Sequence, residues 1–179
     1  MSDAKPPAEG VNVGGFLREP PPETEPRQDS PQIERRERIP ARTSFVTLAV
    51  RDMTKMTRFY RQFRWPESEH SDETFVAFQT SGAVLGLFPA VNYEKELGPV
   101  VAPGGFRGFV LAINLEDAAR VDAAYETMMA FEGIRILGEP QDLSFGGRGF
   151  EFLDPEGNAW EVVWAEGTSF DERGGLIFP

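Results

Sequence analysis

Cysteine is absent from the chain, and histidine occurs once, as His70. Without cysteine there is no disulfide, no thiolate nucleophile and no cysteine-built metal site. His70 stands in an acidic, polar stretch, the setting of a surface residue and not of a metal ligand. Positive charge is scarce too: 18 Lys and Arg against 29 Asp and Glu leave a net charge of −11. Nucleic acids and anionic membrane surfaces both require a basic face, so neither is an expected partner. No apolar run approaches the roughly 20 residues needed to span a bilayer. The N-terminus has no apolar signal-peptide core. The expected location is therefore the cytoplasm. Gly146-Gly147-Arg148-Gly149 lacks the strand-to-helix setting and the Lys-Ser/Thr of a phosphate loop. No serine has a nearby histidine and acid to activate it.

What is present divides into three parts. Residues 1–43 hold 8 of the 15 prolines and nearly balanced charge, 8 acidic against 7 basic residues. Such a segment cannot bury enough apolar surface to offset its ordering entropy, and it reads as a flexible Pro-rich arm. Its one apolar cluster, Val11 to Leu17, is a candidate docking segment. Residues 44–165 carry the apolar patterning of a folded domain, and 166–179 form a tail ending in Leu176-Ile177-Phe178.

The folded part opens with a strand, Phe45 to Val50. Asp52 then caps a helix from Met53 to about Phe63, whose Met56, Phe59, Tyr60 and Phe63 face a sheet. A short polar strand over Glu67–Ser71 is followed by a hairpin of Thr74–Gln79 and Ala83–Phe88. Pro89–Gly105 reads as a long loop, a connector or a lid. The order then recurs: a strand over Phe109–Leu115, a helix to about Glu132, a strand from Ile134, a loop over Glu139–Gly147 and a closing hairpin. Two copies of strand, helix, strand, strand, strand predict an α+β fold of two βαβββ units, about 44–98 and about 105–165. Each unit alone leaves one sheet face bare, so the two pack together.

The closing hairpin is the most informative stretch. Asp154-Pro155-Glu156-Gly157 is turn chemistry. The strand after it alternates Trp160, Val162 and Trp164 on one face with Ala159, Glu161 and Val163 on the other. Glu161 is a carboxylate in an otherwise apolar strand, and it needs a partner or a proton.

Thr47-Leu48-Ala49-Val50-Arg51-Asp52 with Phe59-Tyr60, Gly82 to Phe88, Gly105 to Ile113, and Phe152 to Asn158 with Glu161 together resemble the vicinal oxygen chelate superfamily. Its members include glyoxalases, extradiol dioxygenases, fosfomycin-modifying enzymes and bleomycin-resistance proteins. The resemblance implies two βαβββ units whose sheets curve around a ligand cleft. It also implies four metal-ligand positions, which fall here on Phe45, Gly86, Gly108 and Glu161. One carboxylate among two glycines and a phenylalanine cannot hold a divalent ion, so neither a metal nor another cofactor is expected. Many members build their cleft across a dimer, and the apolar tail here fits a homodimer.

With Phe45 and Glu161 in the cleft, alternation places Thr47, Ala49, Val84, Phe88, Val110, Ala112, Ala159 and Val163 there as well. Phe45, Phe78 and Phe88 are candidate aromatic walls. Arg107 and Arg148 are candidate partners of Glu161. The candidate ligand site is thus Phe45, Thr47, Phe78, Phe88, Arg107, Arg148 and Glu161, and its expected ligand is a small organic molecule, cationic or aromatic. Three functions stay open: metal-independent small-molecule binding; a lyase or isomerase using Glu161 as acid and base; and an interaction module using the N-terminal arm.

Overall fold

A computed structural model describes residues 40–100 and 105–178. The arm and its Val11–Leu17 cluster lie outside those residues. The chain from Ala41 onward forms one compact unit of α+β architecture.

The first repeat comprises β1 (Phe45–Val50), α1 (Met53–Arg61), β2 (Val76–Phe78) and β3 (Val84–Pro89). They make a three-stranded sheet in the order β1-β3-β2, with β1 parallel to β3. The polar strand expected over Glu67–Ser71 shrinks to a single bridge, Glu67 to Phe78. Next comes α2 (Ala90–Leu97), a helix inside the stretch expected to be loop. Only Ala90 of α2 is buried, so the apolar periodicity that marks a packed helix is absent.

The second repeat comprises β4 (Leu111–Asn114), α3 (Ala118–Met128), β5 (Arg135–Ile136), β6 (Gln141–Leu143), β7 (Gly147–Leu153) and β8 (Ala159–Ala165). Its sheet runs β4-β8-β7-β5, with β6 also paired to β7 and β4 parallel to β8. The loop expected at 139–147 is therefore half strand. The tail folds back on itself as β9 (Ser169–Phe170) and β10 (Leu176–Ile177).

Both sheets bury the bulky face that alternation assigns to the helices: Leu48, Leu85 and Leu87 in one, Trp160 and Val162 in the other. Helix α1 forms as the sequence requires, with Asp52 Oδ1 accepting from the Lys55 backbone N–H at 2.9 Å. Its buried Met56, Phe59 and Tyr60 belong to one core that spans both repeats. Phe59 meets Phe152, and Tyr60 meets Trp160. The two units thus share a core instead of owning one each.

Candidate functional site

The opposite, open faces of the two sheets carry the predicted site. Phe45 is 48% exposed and Val110 44%, while Thr47, Ala49, Val84, Phe88, Ala159 and Glu161 are half-buried. In the first sheet Thr47 faces Gly86 across the β1–β3 ladder. A Cβ on Gly86 would stand 3.2 Å from Thr47 Oγ1 and 3.3 Å from a carbon of each of the Phe45 and Phe75 rings. The missing side chain is what lets these groups settle over the strand. Phe45 and Phe75 are 6.2 Å apart between ring centres, Phe75 and Phe88 6.3 Å, and Phe88 and Tyr93 of α2 5.3 Å. The aromatic wall therefore consists of Phe45, Phe75, Phe88 and Tyr93.

Phe78 does not belong to it. It is fully buried on the helix side, against Tyr60 and opposite Leu85. The strand alternation at 75–78 runs one residue out of step with the expectation, because Phe75 precedes β2 and reaches the open face from the loop.

In the second sheet Glu161 stands opposite Ala112 of β4 on one side and Glu151 of β7 on the other. The two carboxylates occupy directly opposed positions, an arrangement that costs free energy unless a cation or proton intervenes. Among the described residues Glu161 has neither an ion-pair partner nor a hydrogen-bonded one. Its carboxyl is held above the usual glutamate range, first by burial and then by the Glu151 charge.

Neither arginine expected to neutralise Glu161 does so. Arg148 lies opposite Trp164, on the helix face, and pairs with Asp122 of α3 at 2.8 Å and Asp142 of β6 at 3.0 Å. A shift of one residue along β7 is a change of face, which puts Arg148 and Glu161 on opposite sides of the sheet. Arg107 donates to Asn158 Oδ1 and, at 3.0 Å, to the Glu156 carbonyl, so it clamps the 154–158 turn. In the sequence Glu151, a glutamate on a strand beside a turn, reads as ordinary exposed surface. Only the β7–β8 register reveals its neighbour.

The turn itself is scaffold. Asp154 is buried and accepts from Tyr60 Oη at 2.8 Å, from the Glu156 and Asn158 backbone N–H groups at 2.9 Å each, and from Asn158 Nδ2 at 2.7 Å. Trp160 Nε1 donates to Tyr60 Oη at 3.0 Å. Glu156 Oε1 accepts from the Arg51 and Asp52 N–H groups at 2.7 and 2.8 Å, which ties the turn to the start of α1.

The ladders also correct the third metal position. Thr47 pairs with Gly86 and Ala112 with Glu161, so the residue matching Phe45, two before the pair, is Val110. Gly108 lies before β4 at φ +84°, outside any strand. Phe45, Gly86 and Val110 carry no donor atom beyond the backbone. Glu161 and Glu151 supply carboxylates only, and among the described residues no three His, Cys, Asp or Glu side chains gather as a metal site. This donor set does not fit a divalent ion, which takes three or more ligands of defined geometry.

The sequence profile of the glyoxalase/bleomycin resistance protein/dioxygenase superfamily matches residues 42–162. The chain belongs to that superfamily. Solved structures similar to this chain include a glyoxalase-related enzyme from Fulvimarina pelagi, 24% identical, which covers 77% of this chain and 98% of its own with a TM-score of 0.67. A glyoxalase/bleomycin resistance protein/dioxygenase from Nocardioides is also 24% identical, covering 76% of this chain and 91% of its own with a TM-score of 0.63. A lactoylglutathione lyase from Agrobacterium tumefaciens is 22% identical over 70% of this chain and 95% of its own, with a TM-score of 0.55. At these identities the likeness establishes the superfamily fold. No curated protein matches the sequence.

Proposed function

We propose that this superfamily member binds a small organic cation on the open face of its second sheet without a divalent metal. The observation that carries the reading is the Glu151–Glu161 pair, two opposed carboxylates with no cation between them among the described residues. An ammonium or amidinium group would supply the missing charge, and Ala112 and Ala159, on the same sheet face as Glu161, offer apolar surface to the rest of such a ligand. Calorimetry with benzamidine and tyramine, in the presence of EDTA, tests this. Saturable binding is expected, reduced roughly tenfold or more by Glu161→Gln, as for loss of a charge-assisted contact. Equal binding by wild type and Glu161→Gln would remove the reading.

The raised carboxyl of Glu161 favours a second function, proton transfer in a lyase or isomerase. It requires a chelator-resistant turnover that Glu161→Gln abolishes and Glu161→Asp partly retains. The interaction-module reading depends on the arm, outside the described residues. Its test is whether an association of the full chain survives deletion of residues 1–43.

A further inference from the structure

A second hollow lies on the other side of β8. Glu161 points to the open face, whereas its neighbour Val162 lies on the floor of a groove of about 570 Å³ between the end of α1 and the flank of α3 that carries Arg120, Ala123 and Thr127. The volume is that of a small-molecule site. Ile113, Leu115 and Val162 form the apolar floor, and Phe63, Trp65 and Phe131 form an aromatic wall. Phe63 stands 4.7 Å from Trp65 and 5.1 Å from Phe131 between ring centres, so the wall is packed in place.

The charge in this groove runs against the rest of the molecule. The chain carries −11, yet the groove is lined by two arginines, Arg64 and Arg120, and by no aspartate or glutamate. Arg120 is tied to Glu116 and Asp117 only through loose contacts of 3.4 and 3.7 Å. The Arg64 guanidinium has no partner among the described residues. Arg64 is also the one described non-glycine residue with positive φ, at +56°. An arginine where glycine would be unstrained puts a cation at the groove at some conformational cost, a pattern that marks functional positions.

We propose that this groove binds an amphipathic organic monoanion, an aryl or alkyl carboxylate, with its chain on the aromatic wall and its carboxylate toward Arg64 and Arg120. This site is separate from the open-face site and does not depend on it. The probe is 4-phenylbutyrate, titrated into the full-length protein and followed by calorimetry and by tryptophan fluorescence, with Trp65 as reporter. One-to-one saturable binding is expected, weakened about tenfold or more in Arg64→Gln. It is also expected to weaken in Arg120→Gln and on replacing the acid with 4-phenylbutyramide. Ala123→Trp, at an exposed lining position where folding is spared, fills the groove and abolishes binding. Glu161→Gln, on the opposite face, leaves it unchanged. Equal binding of acid and amide, or binding indifferent to Ala123→Trp, would overturn the proposal. So would concentration-dependent self-association abolished by Ala123→Trp, which assigns the groove to a second copy of the chain.

Discussion

At the scale of single residues, Asp154 and Glu161 are carboxylates in opposite settings. Asp154 accepts four hydrogen bonds in a buried setting. Asp154→Ala leaves buried N–H and O–H donors stranded, and should cost about 3 kcal/mol by urea denaturation. Tyr60→Phe removes the hydroxyl that links Asp154 to Trp160, and should cost about 1–2 kcal/mol in the same measurement. Glu161 is the opposite case. Its carboxyl titrates higher in the folded chain than in the unfolded one. The folded state therefore holds the proton more tightly, and stability falls as pH rises from the usual glutamate range through the raised value. Below that range both states are protonated and the effect vanishes. Glu161→Gln should flatten this slope and leave the protein more stable than wild type at neutral pH. Urea melts from pH 4 to pH 8 check both; a wild-type slope unchanged by the substitution would contradict the assignment.

At the scale of elements, α1 is the piece on which the two repeats meet. Its start is held by Asp52 and by Glu156 from the distant turn, and its end is closed by Arg64 in the left-handed region. Arg64→Gly should raise stability by about 1 kcal/mol by relieving that conformation, while removing the cation proposed to hold a carboxylate. A thermal melt measures the first effect independently of any ligand. Much of α1 was legible in the sequence: Asp52 as cap, and Met56, Phe59 and Tyr60 as the inner stripe. Helix α2 was not, because a helix that buries only Ala90 leaves no periodic trace. The sequence places Phe78 on the wrong face for a related reason. A three-residue strand is too short for alternation to fix where its period begins, and packing against Tyr60 decided it.

At the scale of the whole molecule, a shared core binds the repeats into one cooperative body. Phe59 and Tyr60 from the first repeat pack on Phe152 and Trp160 from the second. A fragment containing only residues 44–98 would leave those rings bare, and should show no cooperative thermal transition by circular dichroism.

What the residues alone determined follows from short-range rules. Period-two alternation separated the helix face from the open face on β1, β3 and β8, turn chemistry placed Asp154 to Gly157, and the repeated element order specified the fold. What the tertiary structure decided depends on partners far apart in the chain. Tyr60 meets Asp154 and Trp160 across 94 and 100 residues, and Arg107 closes on the turn 51 residues away. Glu151 meets Glu161 through the β7–β8 register, and Val110, not Gly108, matches Phe45 through the ladders. Local patterning says which way a side chain points. Only register and packing say what it finds there, and at this site that is a second carboxylate where an arginine was expected.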